Sequence, residues 1–206
     1  MKWSLAGLAL SLVACGGALP QTHFYRLALA DVSRAPVVLA GTLAVENFDS
    51  DAVYADDRIA YRRSPYRVDY YNYHRWIAAP AIHLADYMRD ALAQTGLFQR
   101  VRSVDVAGSD AALSGRLTAF DEVDVSAAEW VGRIEVELYL SDSQTAAPLW
   151  SKRYIESQRV SRRDPEGLAV ALSAAAQRIV QASAPEIAAA MRDRAARVAA
   201  QDAGGS

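Results

Sequence analysis

Cysteine occurs once in this 206-residue chain, lysine only at positions 2 and 152, and histidine only at His23, His74 and His83, and each scarcity removes a class of function. A single thiol closes no intramolecular disulfide, which excludes a disulfide-stapled scaffold. Three scattered histidines and one cysteine give no spacing for a zinc site. With a net charge of −2 there is no basic footprint, so nucleic acid is not an expected partner. No Gly-x-Ser-x-Gly, P-loop or His-Glu-x-x-His motif is present, so no enzyme activity and no cofactor are expected. Asp49, Asp51, Asp56 and Asp57 crowd one segment, but without the glycine and distal glutamate of a calcium loop they read as solvated turn residues. What is there is ordinary globular composition, 52% hydrophobic and 22% charged, enough for one domain with a sizeable core.

The single cysteine has a telling position. Lys2 supplies a positive end, residues 5–13 an apolar run too short to span a bilayer, and Leu12-Val13-Ala14-Cys15 closes the segment. This resembles a bacterial lipoprotein signal, matched position by position at its processing box. The resemblance implies removal of residues 1–14, a diacylglycerol thioether on Cys15 and an acylated new amino terminus. Three acyl chains exceed what stable anchoring needs. Gly16 stands where the inner-membrane retention signal has aspartate, which implies the periplasmic face of the outer membrane. Residues 15–22 form the lipidated cysteine and a tether. The seven residues 16–22 reach about 25 Å at full extension, which keeps the folded domain near its membrane.

Hydrophobic periodicity predicts one α+β domain over residues 23–184. Residues 24–29 and 36–48 read as early strands that pair or lie close, with Gly41 marking a bulge or a close backbone approach. Residues 58–62 and 66–71 read as a hairpin or extended arm turned at Ser64-Pro65. A helix is expected over 80–95, closed by Gly96, with His83 on its solvated face. Residues 97–106 return as a strand, and 111–125, 129–141 and 149–160 form an antiparallel meander. In its middle strand Ile134, Val136, Leu138 and Leu140 alternate with Arg133, Glu135, Glu137 and Tyr139, the pattern of a sheet covered on one side. Asp121, Glu122, Asp124, Glu135 and Glu137 are expected on its solvent face. Asp164-Pro165-Glu166 starts a second helix with the apolar stripe Leu168, Ala171, Leu172, Ala175, Ile179 and Ala182. Pro185 is expected to kink or end it, leaving 185–206 as an Ala/Arg-rich helix or tail. Arg159, Arg162 and Arg163 form a basic group before that helix, suited to solvent or to lipid phosphates.

Seven aromatic residues fall between Tyr54 and Trp76. In a strand over 66–71, Tyr66 and Tyr70 share one face and Tyr71 takes the other, so both faces carry aromatic bulk. Single rings of this kind fill sheet cores and edges; together they read equally as a contact surface.

The wording LAVENF, then DRIAYRRSPYRVDYYNYHRW, then a helix ending LAQTGLF followed by RV, resembles the auxiliary lipoproteins of MCE-type (mammalian cell entry) ABC lipid transporters, including the paraquat-inducible C-type lipoproteins. Arg75-Trp76 followed by Pro80 is its most specific part. VENFDSDAVYADD replaces the Leu/Pro-rich loop of the paraquat-inducible branch. The resemblance implies a mainly antiparallel sheet with two principal helices on one face. It also implies a non-catalytic helper that docks a periplasmic MCE-domain protein for transport of phospholipid or other hydrophobic cargo. Tyr66, Tyr70, Tyr71, Tyr73, Arg75 and Trp76 would then carry the contact. Two other classes share the anchor and fold: an accessory of β-barrel or lipopolysaccharide assembly, and a structural homo-oligomeric lipoprotein.

Overall fold

The computed structural model describes residues 20–30, 41–103 and 108–204; the expected signal segment and Cys15 lie outside them. In chain order the elements are β1 (His23–Tyr25), β2 (Thr42–Val45), β3 (Asp49–Ser50), a 3-10 turn (Ala52–Tyr54), β4 (Arg58–Ser64), β5 (Arg67–Trp76), α1 (Pro80–Gln94), β6 (Arg100–Ser103), β7 (Ala111–Ser126), β8 (Glu129–Asp142), β9 (Pro148–Arg159) and α2 (Pro165–Gly204).

Strand β7 is the spine. One of its edges pairs antiparallel with β8 along most of its length, and β8 pairs antiparallel with β9. The other edge receives three strands in succession, all parallel to it: residues 43–45 beside 111–113, 49–50 beside 116–117, and 60–62 beside 121–123. Strand β2 carries β6, while β4 carries β5 and β5 carries β1, giving a nine-stranded mixed sheet. The fold class is α+β, with antiparallel pairing over the long meander and parallel pairs among the shorter strands.

Both helices cover one face. The buried set Ile134, Val136, Leu138 and Leu140 alternates with Arg133, Glu135, Glu137 and Tyr139, as the period of two demands. Opposite the buried set lies α2, so close that a Cβ on Gly132 would come within 3.1–3.2 Å of Leu168 and Leu172. Leu84, Met88 and Leu92 of α1 are fully buried at helical spacing and join Leu43, Leu113 and Phe120 in the same core. Pro80 opens α1, and Gly96 takes the left-handed φ of +71° just past its end. For α2, Asp164 Oδ1 accepts from the Gly167 amide at 2.7 Å, the expected N-cap. The close approach at Gly41 is also present: its φ is +142° and a Cβ would lie 3.3 Å from Met191 Cε.

Three expectations are corrected. The first strand stops at Tyr25 and pairs parallel with β5, not with β2. Beyond it the chain leaves the sheet to cross both helices, the Leu27 amide donating to His83 Nε2 (2.9 Å) and the Ala28 amide to Ser173 Oγ (3.0 Å). His83 is therefore buried rather than solvated, and burial pushes its pKa down to about 4. Ala182 is exposed; the buried stripe of α2 passes instead through Ser183 and Ala184 to Ile187, Ala188 and Met191. Of the two outcomes expected at Pro185, a kink or an end, the end does not occur: α2 runs on to Gly204. Contacts on its far side hold the chain helical: Glu186 accepts from Lys152 (2.5 Å) and Tyr154 (3.1 Å), and Arg194 Nε donates to Asp142 at 2.6 Å. The Arg194 guanidinium holds the Asp142 carboxyl down at about 2.

Candidate partner-binding hairpin

Strands β4 and β5 form an arm turned at residues 64–67. The pairing slips once beside the turn, between Arg62/Val68 and Ser64/Arg67, runs in register to Ala60 opposite Tyr70, and then breaks. Between the pairs Ala60/Tyr70 and Arg58/Arg75, four residues of β5 (Tyr71, Asn72, Tyr73, His74) oppose only Ile59 of β4. Such a bulge twists the strand and redirects its side chains. Strand β1 pairs only with residues 74–76 of β5. The outer edge of residues 67–73 is thus unpaired among the described residues.

The six residues singled out by sequence separate into three groups. Tyr66 at the turn is 97% exposed, and Tyr73 in the bulge is 44% exposed. Tyr70 and Tyr71 are half-buried and face opposite sides. The hydroxyl of Tyr70 donates to the Val53 carbonyl (3.1 Å), with the Arg58 guanidinium 3.9 Å above its ring. Tyr71 donates to the Glu122 carboxylate (3.0 and 3.1 Å) and leans on Tyr61 and His74. Arg75 pairs with Asp57 at 2.5 Å. Trp76 is withdrawn from any surface: its ring is buried edge-on against Phe120, and its indole N–H has no hydrogen-bond partner among the described residues. Only Tyr66 and Tyr73 of the six present large exposed aromatic surface.

The root of the arm is built on two neighbouring carboxylates, and here the structure overturns their expected solvent exposure. Asp121 and Glu122 of β7 are each only 1% exposed. Glu122 lies opposite Gly132, on the helix-covered face; Asp121 lies opposite Arg133, on the other. Asp121 receives Tyr54 Oη (2.7 Å), Arg62 Nε (2.5 Å) and the Arg133 guanidinium (3.2 Å). Burial and the Asp121 charge push Tyr54 up to about 12. Glu122 is bonded by Tyr71 and has Asp124 nearby. Burial, opposed by the Tyr71 hydrogen bond and aided by the Asp124 charge, pushes it up to about 7. A second polar-aromatic group adjoins it, where Tyr25 Oη lies 2.9 Å from His74 Nδ1 and His23 stacks on His74.

Spacing alone missed these groups. The available signal was Asp121-Glu122 directly after the apolar pair Ala119-Phe120. Two arginines of the basic group before α2 are engaged within the chain: Arg162 binds Asp164 and Glu166, and Arg163 donates to the Ala127 carbonyl at 2.7 Å. Among the described residues no cluster of three or more His, Cys, Asp or Glu is arranged to hold a metal ion, and no helix is long and apolar enough to cross a membrane.

A mixed sheet with two helices on one face is a fold shared with solved proteins. A Xanthomonas campestris protein of the family DUF330 superposes with a TM-score of 0.75 at 17% identity, over 84% of this chain and 99% of that one. An uncharacterised protein gives 0.65 at 17% identity over 82% and 99%. A lipoprotein from Neisseria meningitidis aligns at 14% identity over 69% and 99%, with a TM-score of 0.29. No protein-family model matches the chain, and no curated protein matches its sequence.

Proposed function

We propose that this chain is a lipoprotein held by Cys15 at the periplasmic face of the outer membrane. In this reading it is a non-catalytic auxiliary component of an MCE-type ABC transport system that moves phospholipid or other hydrophobic cargo. The partner is the periplasmic MCE-domain protein, and no cofactor is required beyond the lipid on Cys15. The observation that carries the docking role is the arm: an unpaired strand edge over residues 67–73, tipped by Tyr66 and flanked by Tyr73. An exposed edge adds a partner strand through backbone hydrogen bonds, and exposed tyrosines supply anchors of low conformational cost. Tyr70, Tyr71, Arg75 and Trp76 shape the arm from within, so their part in binding is to hold Tyr66 and Tyr73 in place.

A photo-crosslinker at position 66 in intact cells tests this. Capture of an MCE-domain protein is expected, and Tyr66→Ala with Tyr73→Ala should weaken that association at least about tenfold while leaving the domain folded. Capture of a β-barrel or lipopolysaccharide-assembly protein, or of this chain alone, overturns the transport reading in favour of an assembly accessory or a homo-oligomer.

A further inference from the structure

The exposed apolar side chains are gathered unevenly. Phe24, Leu29, Ile77 and Val170 are 61%, 40%, 56% and 62% exposed. They line two adjoining grooves, one on each side of residues 24–29. The first, about 330 Å³, lies against α1 and contains Leu29 and Ile77; the second, about 450 Å³, lies against the start of α2 and contains Phe24 and Val170. Arg26 and Ala28 line both, so the two form one surface. The floor is fixed, because the Leu27 and Ala28 amides are bonded to His83 and Ser173. Exposed apolar side chains grouped on a rigid support mark a surface with an occupant.

The tether identifies that occupant. Cys15 precedes Pro20 by five residues, at most about 18 Å of chain, and precedes Phe24 by nine, at most about 32 Å. Whatever holds Cys15 therefore keeps this surface, which the first described residues of the chain help to line, within about 32 Å of the same plane. Asp86, Asp90 and Glu166 lie among the lining residues with Arg26, so the lining is not polybasic and attraction is apolar. Resting on the assignment of Cys15 as the lipid anchor, we infer that this surface sits on the bilayer, with Phe24, Leu29, Ile77 and Val170 entering the boundary between headgroups and acyl chains.

Because Cys15 is the only cysteine and its thiol is taken by lipid in this reading, one introduced cysteine can be labelled uniquely. Val170→Cys and, on the far face of the sheet, Ile155→Cys (61% exposed) accept a nitroxide without disturbing the core. The full-length lipidated variants are placed in vesicles of phosphatidylethanolamine and phosphatidylglycerol. Flotation is measured first, and then collision of the label with oxygen and with a water-soluble nickel chelate. The expected result is flotation of both, with the oxygen-to-nickel ratio at position 170 several-fold above that at 155. Flotation with equal ratios overturns the inference and leaves the anchor standing. A label at 170 shielded from both reagents shows a second copy on the surface and also overturns it. Absence of flotation overturns the anchor reading and the inference together.

Discussion

Asp121 and Glu122 are adjacent in one strand, equally buried, and electrostatically opposite. Asp121 collects two guanidinium groups and a phenol, so its charge is matched on the face where Arg62 and Arg133 lie. Glu122 turns under the helices, where burial and the Asp124 charge outweigh the Tyr71 hydroxyl and the Arg63 charge, and its proton is retained to about 7. One residue's shift along a strand thus separates an ion-pair hub from a carboxyl that holds its proton. The pleat, which sends neighbours to opposite faces, is the cause. Together the two residues fasten the aromatic arm from both sides: Asp121 through Arg62 of β4, Glu122 through Tyr71 of β5.

Breaking the Asp121 side should cost most. Asp121→Asn leaves two guanidinium groups facing a neutral amide, and a loss of about 3 kcal/mol is expected in urea unfolding at pH 7, the lower end of the cost of splitting a buried pair. The tyrosines come next. Tyr71→Phe strips Glu122 of its phenol donor and should cost about 1–2 kcal/mol, whereas Tyr54→Phe leaves Asp121 its two arginines and should cost about half as much; paired melts measure the difference. Glu122→Gln, silent near pH 4.5, is the sharpest in form. A carboxyl whose pKa rises from 4.5 to about 7 on folding favours the native state fully below pH 4.5 and loses that contribution as pH rises through 7. His83, pushed down from 6.5 to about 4, acts in reverse: its contribution is complete above pH 6.5 and is lost as pH falls through 4. The two slopes oppose between pH 4.5 and 6.5. The Glu122→Gln variant should therefore match the parent near pH 4.5 and exceed it increasingly toward pH 8, read as the difference in melting temperature across that range. A constant difference would show that Glu122 ionises freely.

Periodicity made much of the frame legible. The meander, the arm, α1 with Pro80 and Gly96, and the Asp164 cap are local features, written in alternation, turn residues and cap residues. Long-range choices were not local. Nothing between residues 24 and 48 states that β1 prefers β5 over β2, because that depends on His83 and Ser173, 56 and 145 residues from their partners. Pro185 has a strong local tendency to stop a helix, yet Glu186 and Arg194 are tied to the sheet and outweigh it. At the arm, the aromatic cluster was visible as composition, but its division into exposed Tyr66, bonded Tyr71 and buried Trp76 depends on a bulge with no sequence signature. Charged side chains in a half-buried strand default to solvent, so the burial of Asp121 and Glu122 could be seen only with their partners in place.

Strand β7 also imposes an order of events. Its partners on one edge come from residues 43–62, roughly fifty to seventy residues upstream, and its other edge is filled by the residues that follow it. A chain that emerges from its amino terminus has β2, β3 and the tyrosine-rich hairpin in hand well before the strand that receives them. Until 111–126 arrives, β1, β5 and β4 can pair only among themselves, and closing the long loops to β7 slows folding more than it weakens the finished fold. The aromatic arm therefore spends the earliest part of the molecule's life without the two carboxylates that later fasten it.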